Sequence, residues 1–161
     1  MIKNKTVRRI IKTGLVFILS VVIATLVATL FSTQFVIAGL TGAGAEISLG
    51  VRLDMTLYDL SYLGPLYGIF IFIGLTIAFP VAALVHRFAK TKRAVIYVVA
   101  GMACFVVMLY LMQAVFFGVP IIAGARSAMG LGFQALAGGL AGYVFARLTK
   151  RSVVKRGLEN L

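Results

Sequence analysis

Residues 14–40 read GLVFILSVVIATLVATLFSTQFVIAGL, a run of 27 residues without a charged side chain. A helix needs about 20 apolar residues to cross the roughly 30 Å of hydrocarbon in a bilayer. Three further runs reach that length, at about residues 63–85, 94–118 and 127–148, and none has a charge in its interior. Because helices satisfy their own backbone hydrogen bonds in lipid, we predict an all-α integral membrane protein whose residues 1–161 form one four-helix bundle.

The overall composition leads to the same class of protein. Hydrophobic residues make up 61% of the 161-residue chain and charged residues only 12%, whereas soluble domains average about 45–50% and about 25%. A soluble domain of this size leaves about a third of the surface of its unfolded chain in water. The polar residues of this chain are too few to cover that surface. We therefore expect the excess apolar surface to face lipid.

The basic residues are distributed unevenly between the two sides of the predicted bundle. One side has only Arg52 and Arg126, and the other side has 14 of the 16 Lys and Arg residues. These 14 are Lys3, Lys5, Arg8, Arg9, Lys12, Arg87, Lys90, Lys92, Arg93, Arg147, Lys150, Arg151, Lys155 and Arg156. The positive-inside rule therefore predicts a multi-pass protein of a bacterial-type inner (plasma) membrane, with both termini in the cytoplasm.

The formal net charge of +12 has a simple interpretation in this topology. Basic segments at the cytoplasmic surface are attracted to anionic lipid headgroups, by about 1 kcal/mol per charge. No basic motif with interleaved aromatic residues indicates a nucleic-acid-binding fold. We therefore expect the lipid bilayer, and not nucleic acid, to be the partner of these charges.

The first apolar run raises the alternative of a secretory signal peptide. It follows a basic start and ends near residues 43–45, whose sequence Ala-Gly-Ala suits a cleavage site. Signal peptides have an apolar region of about 7–15 residues, and this run is much longer. We therefore predict that the first helix is retained as a membrane span.

The segment between the first two spans has a mixed character. In residues 51–62, leucines recur at helical spacing and two tyrosines suit the level of the lipid headgroups. This pattern predicts a short interfacial amphipathic helix between helices 1 and 2. Gly64 and Pro65 are expected to end it and to begin the second span, because proline is tolerated in a first helical turn.

The fourth span is unusually rich in glycine. Glycine costs a helix about 1 kcal/mol per position relative to alanine, so repeated glycines suggest that small size is needed for close helix packing. One face of the span consists of residues spaced by four: Gly130, Gln134, Gly138 and Gly142. Three of them are glycines, so this face exposes the helix backbone except at the side-chain amide of Gln134.

Two partners are compatible with this glycine face. The first is a strip of small residues on helix 1 that includes Ala24 and Ala28, and the second is helix 4 of another subunit. Gln134 would be a buried polar group in either case and needs a hydrogen-bond partner. Gln113 or a symmetry-related Gln134 are the candidates.

A group of polar residues is predicted at the outer side of the bundle. Arg126 and Ser127 open the fourth span, with Ser127 as a possible N-cap, and Asp54 and Asp59 lie in the segment before the second span. One hypothesis is that Arg126 forms an ion pair with Asp54 or Asp59 and holds that segment over the bundle. The other is that Arg126, with Ser127, binds a lipid phosphate or a carboxylate.

No pattern in the sequence indicates an enzyme. It contains no HExxH motif, nucleophile elbow or P-loop, and the single Cys104 and single His86 do not suggest a metal site or a haem. We therefore expect no catalytic residue, metal or cofactor. The leading hypothesis is a non-enzymatic protein that acts through helix–helix association, as an accessory or assembly subunit of a membrane complex or as a homo-oligomer.

Two further functions remain open. The first is a small transporter or channel, in which Pro80 would bend the second helix near Thr76 and Arg126 would attract anions to the outer mouth. The second is a lipid-binding membrane protein, suggested by Arg126 and by the interfacial tyrosines.

Overall fold

The computed structural model describes residues 2–89, 91–119 and 121–149 of the chain. They form four long α-helices and one short 3₁₀ turn, with no strand among them. The helices are α1 (Ile2–Gly42), α2 (Leu49–Phe88), α3 (Arg93–Val115) and α4 (Ala128–Leu148), and the 3₁₀ turn is Ala123–Ala125. The predicted all-helical, four-helix architecture is confirmed.

Each of the four helices is long and apolar enough to cross a membrane. The shortest, α4, has 21 residues, which at the rise of an α-helix is about 31 Å and matches the thickness of the hydrocarbon layer. Large apolar side chains cover the outside of the bundle along all four helices. The chain is therefore a multi-pass membrane protein.

The helices run alternately up and down, and each packs mainly against two neighbours. α1 contacts α2 and α4, and α3 contacts the same two helices from the other side. The beginning of α3 meets the end of α4, where the Arg93 guanidinium donates hydrogen bonds to the carbonyl oxygen (2.9 Å) and hydroxyl (2.6 Å) of Thr149. We call this the basic end, and the opposite end, which has the α1–α2 and α3–α4 connections, the distal end.

Part of the charge distribution used for the predicted orientation lies outside the described residues. The residues concerned are Lys90, Lys150, Arg151, Lys155 and Arg156. Arg87 and Arg147, which lie in the last turns of α2 and α4, are at the basic end.

The predicted separate amphipathic helix is wrong, because residues 51–62 are the first turns of α2 itself. Helix α2 begins at Leu49, where the Ser48 hydroxyl accepts a hydrogen bond from the Val51 backbone N–H (3.4 Å). It continues through Pro65, which lies inside the helix. The continuation is supported by α1, since the Thr33 hydroxyl lies 2.7 Å from a carboxylate oxygen of Asp59.

Helix α3 ends slightly before the predicted boundary of about residue 118. Its last residue is Val115, and Phe117 (φ 57°) and Gly118 (φ 80°) then turn into the left-handed region. The Gly118 N–H donates to the Gln113 carbonyl oxygen (2.8 Å), and the Gln113 side-chain amide donates to the Gly118 carbonyl oxygen (3.1 Å). This glycine-based cap stops the helix and starts the connection that leads to α4.

The half of the bundle interior nearer the basic end is filled by aromatic rings from all four helices. The Phe79 and Phe145 rings stack with centroids 4.5 Å apart, and Phe17 and Tyr97 meet them at centroid distances of 5.4–6.4 Å. Such contacts add about 0.5–1.5 kcal/mol per pair beyond the burial of apolar area. This aromatic cluster fixes the relative positions of the helices in the half of the bundle nearer the basic end.

Candidate functional site

The glycine face of α4 is covered by α3 within the same chain. A Cβ atom added at Gly138 would overlap the carbonyl oxygen of Gly101, and one added at Gly142 would overlap that of Tyr97. The relationship is reciprocal, since a Cβ at Gly101 would overlap the Gly138 carbonyl oxygen. Neither of the two predicted partners for these two positions, the small strip of α1 or a second α4, is therefore the one observed. Gly101, which the sequence analysis missed, supplies the facing surface.

The first glycine of that face, Gly130, packs against the connection before α4. A Cβ there would overlap the carbonyl oxygen of Gly124 in the 3₁₀ turn. Gly124 in turn lies against α1, where its N–H donates to the Ser32 hydroxyl (3.3 Å). The α3–α4 connection is thus folded down onto α1 and α4, and Ile122 within it is almost completely buried.

Gln134 lies at the centre of the bundle and is completely buried. Its Oε1 accepts a hydrogen bond from the Tyr67 hydroxyl (3.0 Å), and its Nε2 donates to the Ala28 carbonyl oxygen (3.0 Å). One amide therefore joins α1, α2 and α4. The predicted partner Gln113 instead caps its own helix.

Two residues explain why α1 approaches α4 closely at this level. Ala24 and Ala28 are both completely buried, so the small strip of α1 does face the interior as the sequence suggested. Tyr67, which the sequence analysis did not single out, supplies the hydroxyl that completes the bonding of Gln134. A buried tyrosine generally needs such a partner.

Arg126 is not held by an acidic residue. Within residues 2–89, 91–119 and 121–149, its side chain forms no ion pair or hydrogen bond, and Asp54 likewise has none. Asp59 contacts Thr33 of α1 instead. The predicted ion pair of Arg126 with Asp54 or Asp59 is therefore not present. Ser127 does cap α4, since its hydroxyl accepts from the Gly130 N–H (3.0 Å).

An apolar groove runs between α1 and α2 on the outside of the bundle, at about the level of its centre. Its volume is about 460 Å³, and we call it the α1–α2 groove. Small residues form its floor and larger apolar residues its edges. The lining residues are Val21, Val22, Thr25, Leu26, Leu60, Gly64, Pro65, Gly68, Ile69 and Phe72.

The floor of this groove exists because two glycines of α2 face α1. A Cβ at Gly68 would lie 3.2 Å from the Thr25 hydroxyl oxygen, and one at Gly64 would lie 3.9 Å from that of Thr29. The four-residue spacing of Gly64 and Gly68 was visible in the sequence. Their packing against α1 was not, because hydropathy does not show which way a glycine faces.

The fold and its apolar surface define a multi-pass, four-helix membrane protein. No family model, curated protein or solved structure matches the chain.

Proposed function

We propose that the protein is a non-enzymatic accessory or assembly subunit, and that its α1–α2 groove receives a transmembrane helix of another polypeptide. The observation that carries this proposal is the open apolar recess between α1 and α2, at whose base the buried Gly64 and the half-buried Gly68 and Thr25 bring the two helices close together. In membranes, helices associate through such small residues because they allow backbones to approach closely.

The glycine pattern within the bundle supports this assignment by contrast. Gly101, Gly138 and Gly142 are in backbone contact with a neighbouring helix, so their small size is already used in folding. Gly68 also packs within the fold, since a Cβ there would lie 3.2 Å from the Thr25 hydroxyl oxygen, but the α1–α2 groove beside it is open on its outer side. Ile69 on its edge is 58% exposed and Leu26 is 40% exposed. These side chains are placed to pack on the two flanks of an incoming helix.

The shape of the surface favours a different polypeptide over a second copy of this chain. A twofold dimer brings the same patch of both subunits together, so a groove would face a groove. A concave surface is filled better by a single convex helix. We therefore assign the groove to a heterologous membrane subunit, and self-association is the competing outcome.

The proposal is tested by filling the groove from its edge. Leu26→Trp and Ile69→Trp enlarge exposed side chains and leave the packed interior unchanged. Val107→Trp is the matched control, because Val107 lies on α3 outside the groove and is 55% exposed. Each variant is expressed from its native promoter, extracted gently and examined by native mass spectrometry.

We expect the wild type and Val107→Trp to retain the same additional polypeptide at fixed stoichiometry. In the two groove variants the affinity for this polypeptide should fall about tenfold, which corresponds to a loss of roughly 1.4 kcal/mol of association free energy. Equal retention by all four proteins, or a wild type that carries only copies of itself, would contradict the proposal. Solute flux through the purified protein in liposomes would instead favour the transporter alternative.

A further inference from the structure

A cavity of about 280 Å³ opens at the distal end, beside Arg126. It lies between the last turns of α3, the α3–α4 connection and the first turn of α4. Its polar lining residues are Tyr110, Gln113, Arg126 and Ser127, and its apolar lining includes Leu109, Met112 and Leu131. This cavity is separate from the α1–α2 groove and shares no residue with it.

The charged residue lies at the mouth of the cavity, and leucines line its deeper part together with Tyr110. Helix α3 runs toward the distal end, so Leu109 lies about one turn deeper than Gln113. Helix α4 runs away from that end, so Leu131 lies deeper than Arg126. A charged group at the mouth and apolar walls below it match a molecule with an anionic head and a hydrocarbon chain.

The charge at the mouth lacks a counterion within the part of the chain that the structure describes. Asp54 and Asp59, the two carboxylates that the sequence suggested as partners, form no ion pair with Arg126, and Asp59 contacts Thr33 instead. Arg126 is exposed at the mouth, where its guanidinium can meet an anionic group. The guanidinium group, with its planar fork of donors, fits the oxygens of a phosphate particularly well.

The arginine is also held on a well-packed segment. Two residues before it, Gly124 is hydrogen-bonded to Ser32 and packed under Gly130, and Ile122 is 2% exposed. The backbone at Arg126 is therefore positioned before any ligand arrives, which reduces the entropic cost of binding.

From these four observations we infer that the cavity binds the phosphate headgroup of a membrane phospholipid. Arg126 contacts the phosphate, and Leu109 and Leu131 contact the first part of an acyl chain. The volume is slightly below the roughly 300–1,000 Å³ of pockets that enclose a drug-sized ligand. The cavity therefore holds the headgroup region and leaves the rest of the lipid in the bilayer.

The test compares Arg126→Gln with Arg52→Gln. Both remove one positive charge from the distal end, but Arg52 does not line the cavity. Each protein is delipidated in detergent and titrated with phosphatidylglycerol, and native mass spectrometry counts the bound lipids. Inorganic phosphate is added in a parallel series, and unfolding temperatures verify that both variants are folded.

We expect the delipidated wild type and Arg52→Gln to bind one phosphatidylglycerol and Arg126→Gln to bind it at least tenfold more weakly. Leu131→Trp, which fills the cavity but keeps the arginine, should also lose the lipid. Equal weakening in Arg52→Gln would show general headgroup attraction and overturn the inference. Displacement of the lipid by equimolar inorganic phosphate would also overturn it, since the site would then recognise free phosphate.

Discussion

The Tyr67 hydroxyl donates a 3.0 Å hydrogen bond to Oε1 of Gln134 at the completely buried centre of the bundle. The same amide donates from Nε2 to the Ala28 carbonyl oxygen, so three of the four helices meet at one side chain. Away from water, an unpaired polar group costs more than the net gain of a hydrogen bond. The amide therefore specifies how α1, α2 and α4 align.

Gln134→Leu is expected to lower the free energy of unfolding by about 1–3 kcal/mol, because it leaves the Tyr67 hydroxyl unpaired. Tyr67→Phe should cost a similar amount, since it leaves the completely buried Oε1 of Gln134 without its donor. In the double variant the orphaned hydroxyl is gone, so the two effects should not add. Denaturant titration in detergent measures all three free energies. Additive effects would mean that the two side chains are not coupled.

Gly138 and Gly132 provide a matched pair on α4. Gly138→Ala should destabilise the fold by several kcal/mol, because the new methyl group overlaps the Gly101 backbone. Nothing lies within 4 Å of a Cβ at Gly132, so Gly132→Ala should be neutral or stabilise by up to about 1 kcal/mol through helix propensity. The comparison uses thermal unfolding in detergent. A Gly138→Ala protein as stable as the wild type would exclude the observed α3–α4 contact.

The proposed orientation can be tested with single cysteines in a Cys104→Ala background. Ala45 lies in the α1–α2 connection at the distal end, and Lys92 precedes α3 at the basic end. With the basic end in the cytoplasm, Ala45→Cys should react with a membrane-impermeant maleimide in intact cells. Lys92→Cys should react only after permeabilisation. The reverse pattern would show that the basic ends lie outside.

The four spans could be predicted from the sequence because hydropathy over about 20 residues is a local property. The continuity of α2 could not, since Pro65 also suits the start of a helix. What extends the helix is the Ser48 cap and the contact of Asp59 with Thr33 across to α1. That contact depends on how far α1 itself extends, which is a tertiary property.

The glycine face of α4 was predicted as a packing surface, but its partner was not. Several helices offer small residues, and spacing alone does not choose among them. Gly101 is the single glycine of α3, and Tyr97 and Phe105 stand four residues before and after it, so no four-residue repeat marks it as the facing residue. The ion pair expected for Arg126 failed for a related reason. Counting charges on one side of a membrane shows which residues could form an ion pair. It does not show which side chains lie close enough to form one.

The central claim is that the α1–α2 groove holds a helix of another polypeptide, and site-specific photo-crosslinking tests it most directly. A photoreactive amino acid replaces Ile69 in the groove or, as a control, Val107 on α3, in cells that express the protein at its natural level. We predict a cross-linked product of one defined additional mass from position 69 and none from position 107. Equal products from both positions, or only lipid adducts from position 69, would contradict the claim.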